Sequence, residues 1–346
     1  MEQLKTNETK NLMLRVYNSK KIADKEQVNK DYNDIKALCN KVFGDGSVTP
    51  DPSLLHQFNN IIVQAADEIA RPMATDMLGL LADFRTAKPG DIYAYTIPQN
   101  HRATIKFAAT GTGTDLTRVE GGKKTVAVPQ AMQTGFYYEP LSFVQDSVDE
   151  FNLLINDIAN AKIRLYWKQI SKVFQAAISS TKIPATNVKT GSGLVLADLD
   201  KIAGVIQRVG YGGRPVLVAD SLFIDYFAGL MVADATKSKL LTDGVKEELL
   251  SALNITQLGK ITAVNLINPF IDESNTKVEL PVNEGYMFSG TATTKPLVIV
   301  EYGNMRQFTE QNPEDERIKM MLKQDCAIEM VVGQNVGYLR DSSIIL

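Results

Sequence analysis

The chain contains few of the residues on which most enzyme chemistry depends. Its 346 residues include only two cysteines, Cys39 and Cys326, and two histidines, His56 and His101. Two cysteines far apart in sequence indicate no disulfide framework, and no Cys/His cluster has the spacing of a zinc site. A Ser-His-Asp triad would need one of the two histidines, and the chain has no Gly-x-Ser-x-Gly nucleophile elbow. We therefore expect no catalytic residue, no metal site and no cofactor.

Long apolar runs and a strong charge of one sign are also missing. No apolar run approaches the roughly 18 residues of a membrane span, and the first ten residues lack the apolar core of a signal peptide. We expect a cytosolic origin and no membrane partner. The net charge of −3 gives no general nucleic-acid signature. With 44% hydrophobic residues, the composition is that of an ordinary globular chain of one or two domains.

The glycine-rich stretch "GTGTDLTRVEGGKKT" at 111–125 does not fit a phosphate-binding loop. That pattern needs a glycine where Thr117 stands, and a hydroxyl residue where Lys124 follows Lys123. The residues after it alternate and include β-branched side chains, which predicts a strand rather than the required helix. We interpret the stretch as the tip of a long hairpin whose strands are 102–109 and 125–132. Such strands carry too little apolar surface to be stable alone, so we expect them to lie on another surface.

The N-terminal part is polar. Residues 1–43 hold nine Lys/Arg and six Asp/Glu, and their thin apolar content predicts an exposed helix or extended arm that obtains its burial from something else. A break rich in glycine and proline follows at 44–53. Apolar residues at helical spacing then predict a helix over roughly 53–84, kinked or divided at Pro72.

The strongest single element is predicted over 147–179, which no Gly or Pro interrupts. Ser147 and Glu150 have capping-box spacing. At 1.5 Å per residue this helix would be roughly 50 Å long. Such a length suggests a spine that crosses a flat molecule from end to end.

Two further regions complete the pattern. Residues 191–300 alternate between predicted helices and buried strands, which indicates a compact α+β lobe. Residues 317–332 alternate apolar and charged side chains, as in a long strand with one polar face, and Gln324 is the polar exception on the apolar face.

The order of arm, long hairpin, spine helix, compact lobe and long return strand resembles the major capsid protein of tailed bacteriophages, the Hong Kong 97-type fold. The words "YEPLSFVQDSVDEFNLLINDIANAKIRLYWKQI", "GRPVLVADSLFIDYFAGL" and "DERIKMMLKQDCAIEMVVGQNVGYLRD" carry the resemblance. It implies an α+β fold with an N-terminal arm, an extended hairpin loop, a peripheral domain with the spine helix and long strands, and a compact axial domain. The implied bounds are 1–90 for the arm and leading helices, 91–140 for the hairpin loop, 141–190 for the peripheral spine helix, 191–300 for the axial domain, and 301–346 for the peripheral return strands and C-terminus.

The resemblance also implies a function. Hexamers and pentamers of the chain would form an icosahedral shell around a double-stranded DNA phage genome, with the hairpin lying across a neighbouring subunit. Implied partners are copies of itself, scaffold, portal and decoration proteins, and the packaged DNA, bound without sequence preference. The chain would reside in the virion capsid after assembly in the host cytoplasm.

Some members of that family join a hairpin lysine to an asparagine of a neighbouring subunit. The matching lysine here would be Lys123 or Lys124, and the best-placed asparagine is Asn335. An exposed, glycine-flanked tip disfavours the neutral amine that this reaction needs, so a solvated tip is the competing interpretation.

Three other classes stay open from the residues alone. An encapsulin-like compartment shares the fold and encloses proteins instead of a genome. A soluble α/β enzyme would have its site in the 191–300 lobe and would show convergent polar residues in a pocket. A tail or scaffold protein is the third.

Overall fold

The protein is α+β, as predicted. The computed structural model describes residues 6–19, 24–44, 50–79, 81–97, 122–210, 212–233, 257–266, 268–290, 295–311 and 317–346. Within these ranges it contains seven α-helices and twelve β-strands, the strands forming one sheet of four, one of six and a two-stranded ribbon. None of the described helices combines the length and apolar character that a bilayer-crossing helix needs.

The first layer consists of three helices: α1 (Thr6–Tyr17), α2 (Lys25–Phe43) and α3 (Pro52–Leu78). Their few apolar side chains are gathered on inward faces, and Val16, Ile35 and Phe43 are almost fully buried in one cluster with side chains from the rest of the chain. The prediction of an exposed helix or extended arm is therefore wrong for the described part of residues 1–43, because its apolar side chains are buried against other elements of the same chain. A low apolar content suffices when it falls on one helical stripe.

The helix predicted over 53–84 ends earlier than expected. The chain stays helical through Pro72 and ends α3 before Gly79. Residues Ala82–Ala87 form strand β1 instead, which pairs in parallel with a distant strand. The periodicity of the sequence did not indicate the change from helix to strand, because pairing with a distant strand determines it.

The four-stranded sheet has the order β1–β10–β11–β4. Its long members are β4 (Gln130–Tyr138), β10 (Leu297–Gln311) and β11 (Ile318–Met330). β11 confirms the long alternating strand predicted over 317–332. β10 and β11 pair antiparallel, with a bulge between Tyr302 and Arg306.

The spine helix is α5 (Ser147–Ser179), which confirms the predicted bounds, and the short α4 (Pro140–Gln145) precedes it. The predicted capping box is wrong: Asp146 occupies the N-cap position without a side-chain cap bond, and Ser147 lies inside the helix. Tyr166, Ile170 and Phe174 of α5 belong to a core cluster that includes side chains from both large sheets. The spine thereby joins the two sheets through one core.

The six-stranded sheet has the order β5–β12–β9–β6–β8–β7. Its strands are β5 (Val188–Gly191), β6 (Pro215–Ala219), β7 (Gln257–Leu258), β8 (Ile261–Asn265), β9 (Glu284–Ser289) and β12 (Val336–Asp341). Helices α6 (Leu196–Val209) and α7 (Ser221–Ala233) pack on it, and β6 and β9 are buried throughout. The predicted alternation of helices and buried strands in this lobe is confirmed for these elements, and residues 234–256 lie outside the described residues.

The predicted hairpin differs in pairing. Residues 102–109 lie outside the described residues, and the strand predicted over 125–132 is divided. β3 (Lys123–Val126) pairs with β2 (Ala94–Ile97), whereas β4 begins at Gln130 in the four-stranded sheet. Pro129 lies at the division, and a proline has no N–H to donate to a ladder.

Sheet order also divides the chain differently from the predicted domain bounds. β4, placed in the predicted hairpin loop 91–140, is a strand of the four-stranded sheet. β12, placed in the predicted return segment 301–346, pairs with β9 and β5 of the lobe. The division of the chain into these five ranges as separate domains stays a prediction.

Candidate functional site

The two lysines proposed for a crosslink lie on the β2–β3 ribbon. Lys123 and Lys124 are both exposed, and their partners across the ribbon are Ile97 and Thr96. Successive residues of a strand point to opposite faces, so the two ammonium groups lie on different sides. Asn335 is half-buried at the end of a short 3₁₀ turn that leads into β12. Within one chain, the lysines lie on the two-stranded ribbon, whereas this asparagine directly precedes a strand of the six-stranded sheet.

The base of the ribbon is fixed to the molecule, and the apolar side chains that flank it are exposed. Tyr95 and Ala127 are buried against Val300 and Tyr302 of β10. By contrast Ile92 is 79% exposed and Val128 is 61% exposed. Ile92 and Val128 line an open groove of about 350 Å³ together with Tyr302 and Asp325 of the long strands. The ribbon is thus an anchored element that presents apolar surface to solvent.

A second apolar surface lies on the outer face of the four-stranded sheet. Phe308, Met321 and Gly135 occupy one row across β10, β11 and β4. Phe308 is 54% exposed and Met321 is 49% exposed. Gly135 adds no side chain, and nothing lies within 4 Å of where its Cβ would be. We call this row, together with Tyr137, the outer sheet face.

Charged and aromatic groups surround this row. The guanidinium carbon of Arg317 lies 4.8 Å from the ring centre of Tyr137, and its Nε lies 3.4 Å from Glu139. On the other side, Arg306 and Asp325 form an ion pair at 2.7 Å. An apolar centre with a polar rim is the usual anatomy of a protein–protein contact.

Beneath the sheet, four charged side chains form a cluster between α3, α5 and β10, in which Lys162, Asp67 and Glu301 are buried and Arg71 is partly exposed. Lys162 Nζ lies 2.5 Å from Asp67 Oδ1 and 2.8 Å from Glu301 Oε1. Arg71 reaches the second oxygen of each carboxylate, at 3.2 Å in both cases. Tyr166 donates its hydroxyl hydrogen bond to Glu301. We call these five residues the charge cluster.

The cluster is balanced, with two cationic and two anionic side chains. Burial raises the pKa of Glu301, but the Lys162 ammonium, the Tyr166 hydroxyl and the Arg71 guanidinium outweigh it and hold that pKa below its usual value. Burial and the Glu301 carboxylate raise the pKa of Tyr166 far above its ordinary range. The phenol therefore stays a donor while the carboxylate stays charged. The cluster connects three elements by charge and hydrogen bonds, which is a structural task.

Sequence reasoning did not select the residues of either feature, although weak signals exist. Met321 stands among the charged residues on the polar side of β11, where an apolar residue is out of place. Lys162 falls on the buried stripe of α5 with Ile158 and Tyr166, at helical spacing. An apolar residue in a polar pattern and a lysine in an apolar one are the signals that could have identified them.

Comparison with known proteins assigns the chain to a family. Residues 8–340 match the family model described as "SPbeta prophage-derived putative capsid protein YonB". The chain is 50% identical over 343 residues to the "SPbeta prophage-derived uncharacterized protein YonB" of Bacillus subtilis (strain 168), with 99% of each chain covered.

Several solved structures are similar to this chain at much lower sequence identity. A Microbacterium phage Oxtober96 chain matches at 10% identity and a TM-score of 0.48, covering 75% of this chain and 88% of the other. The capsid of cyanophage P-SCSP1u matches at 10% identity and a TM-score of 0.45, covering 76% and 86%. A virus-like particle from Pyrococcus furiosus matches at 13% identity and a TM-score of 0.41, covering 80% and 99%. The assignment depends on the family model and the Bacillus relative, and by both of them the chain belongs to the YonB family of prophage-derived phage capsid proteins.

Proposed function

We propose that the chain is a major capsid protein that assembles with copies of itself, as hexamers and pentamers, into an icosahedral shell around a double-stranded DNA phage genome. The observation that carries this proposal beyond family membership is the outer sheet face. Phe308 and Met321 are neighbouring large apolar side chains in the middle of a charged sheet surface, and about half of each is left exposed by its own chain. Burial of such a row against another copy supplies a driving force of about 25 cal/mol per Å² of apolar area.

In this arrangement the β2–β3 ribbon of one subunit lies across a neighbouring subunit, and the neighbour's outer sheet face is the surface it covers. Both surfaces are apolar at the centre, and both are fixed to the core behind them. The contact is heterologous, because two different patches meet, and heterologous contacts that close form rings. Rings of six and five copies are the capsomers of the proposed shell.

The remaining parts of the proposal follow from the shell. The role is structural and not catalytic, as expected of a capsid family. Scaffold, portal and decoration proteins are further partners, and the chain resides in the virion after assembly in the host cytoplasm. Contact with packaged DNA is weak, salt-sensitive and indifferent to sequence, since a chain of net charge −3 holds DNA through local phosphate contacts alone. The predicted peripheral and axial ranges are the proposed domains of this subunit, with β12 (Val336–Asp341) joining the sheet of the axial lobe.

Sedimentation of the purified chain tests the assembly step. We expect species with the mass of rings of the 38.1 kDa subunit, or larger particles, at micromolar concentration. A single 38.1 kDa species at every concentration and salt condition, with or without a scaffold partner, would contradict the proposal.

A covalent clasp between subunits is part of the same proposal. The amine of Lys123 or Lys124 would attack the side-chain amide of Asn335 in a neighbouring copy, forming an amide bond and releasing ammonia, with a carboxylate accepting the proton. We expect mature particles boiled in denaturant to give a ladder of multimers, which Asn335→Asp abolishes. Lys123→Arg and Lys124→Arg, each alone, identify the reacting lysine. A single band at the monomer mass would leave the ribbon as a non-covalent contact.

A further inference from the structure

Gln324 is a buried polar side chain in an apolar setting. It is 2% exposed and shares its face of β11 with Leu322 and Cys326, which belong to two hydrophobic clusters. This face packs toward the spine helix. A glutamine amide at this buried position needs hydrogen-bond partners, because burying an unpaired amide costs free energy.

The bulge of the long strands supplies a hydrogen-bond partner for one end of the amide. Tyr302 of β10 pairs with Asp325 of β11, and the next pair along the strands is Arg306 with Lys323. Three residues of β10, 303–305, therefore stand opposite one residue of β11, Gln324. Gly303 adopts φ 74°, a conformation that favours glycine. Gln324 Nε2 donates to the Gly303 carbonyl at 3.2 Å and replaces a ladder bond that the bulge removes. Because a carbonyl only accepts, this contact also fixes which end of the amide is nitrogen.

The other end of the same amide has no partner. Gln324 Oε1 is buried and has no hydrogen bond from any described residue. It belongs to a side chain that lines a cavity of about 10 Å³, measured as the space open to the centre of a water molecule. One water molecule needs roughly 10–15 Å³ on this measure. The cavity therefore has room for one water and for nothing larger.

Three other residues with polar side chains line this cavity: Lys162, Thr134 and Lys323. An ammonium has three N–H donors, and Asp67 and Glu301 are the two acceptors that Lys162 contacts among the described residues. One donor is therefore left for a further acceptor. The rest of the lining is mostly apolar, including Met132, Ile158 and Met305.

We propose that this cavity is a binding site for a single structural water molecule. The water donates to Gln324 Oε1 and accepts from the Lys162 ammonium, and its second hydrogen points to the Thr134 hydroxyl. Its partners number three, which is typical of buried waters in proteins. The water thereby connects the charge cluster under the sheet to the bulge of the long strands, and satisfies the buried amide that the bulge requires.

A map of the wild-type protein at a resolution that shows ordered water decides the proposal. We expect a density peak within hydrogen-bond distance of both Gln324 Oε1 and Lys162 Nζ. Gln307 is the internal control, because its amide is also buried but both ends bond to protein: Oε1 accepts from Thr309, and Nε2 donates to His56. No such peak is expected beside Gln307. An empty cavity in a map that shows other buried waters, or a direct bond from Lys162 to Gln324 Oε1, would overturn the proposal.

A variant adds a second readout. Gln324→Met keeps the length of the side chain and removes the acceptor, so we expect the density peak to be lost. Gln307→Met is the matched change at the control glutamine, and the peak beside Gln324 should persist in it. A peak that persisted in Gln324→Met would show that the water does not depend on this amide. If Gln324→Met does not fold, the wild-type map alone gives the answer.

Discussion

Glu301→Gln is expected to lower the free energy of unfolding by about 3 kcal/mol at pH 7, from the 3–5 kcal/mol typical of breaking a buried charge pair. The glutamine keeps the shape of the side chain and can still accept from Tyr166, but it removes one of the two negative charges of the charge cluster. Lys162, which is almost fully buried, is then left with one carboxylate. We place the loss at the lower end because Arg71 is 39% exposed and can turn to water. Urea denaturation of the purified chain, followed by circular dichroism, measures it.

The pH dependence of this loss tests whether the charge of Glu301 is its cause. The pKa of Glu301 is lower in the folded protein than its ordinary value of about 4.3. Its contribution is therefore fully present above that value and is lost as pH falls through the folded pKa. The difference between wild type and Glu301→Gln should shrink as pH falls from the ordinary range of a glutamate carboxyl through the lowered pKa of Glu301. Glu310→Gln, an exposed position on the same strand, is the control and should change stability by less than about 0.5 kcal/mol. Equal losses in the two variants would contradict the role of the charge cluster.

The double variant Phe308→Glu/Met321→Lys is expected to abolish assembly while the subunit stays folded. Phe308 and Met321 are direct partners across β10 and β11, so the new charges form a favourable cross-strand pair and the sheet is preserved. Against another copy, however, the pair replaces apolar surface with groups whose dehydration is costly. We expect the variant to sediment at 38.1 kDa under conditions in which the wild type assembles.

The neighbouring row offers a matched control. Glu310 and Lys319 are also direct partners, on the same exposed face. Glu310→Lys/Lys319→Glu exchanges their charges and leaves the apolar row intact, so assembly should persist. Loss of assembly in this control, or normal assembly of Phe308→Glu/Met321→Lys, would show that the outer sheet face is not the contact.

Local patterns predicted the regular elements well. The spine helix α5 and the strand β11 have periodicities long enough to be unambiguous, and their bounds agree closely with the structure. The errors occurred where a distant partner decides the outcome. The first three residues of β1, 82–84, were predicted as the end of a helix, because the strand that pairs with β1 lies more than 200 residues further along the chain. The burial of α1 and α2 was missed for the same reason: their narrow apolar stripes are covered by α3, α5 and β11.

The candidate site was less accessible to sequence reasoning than the fold. Gln324 was noticed as an exception, but the bulge that explains it depends on the register between β10 and β11. The charge cluster combines residues from three elements separated by more than 90 positions, and no local pattern joins them. The crosslink residues Lys123, Lys124 and Asn335 remain a prediction, because their reaction requires a second subunit.

Electron microscopy of the purified chain, alone and with a scaffold partner, tests the central claim most directly. We expect closed shells built from rings of six and five subunits, with the β2–β3 ribbon of each subunit resting on the outer sheet face of its neighbour. A monodisperse 38.1 kDa monomer under every condition, with the ribbon ordered on its own subunit, would contradict it.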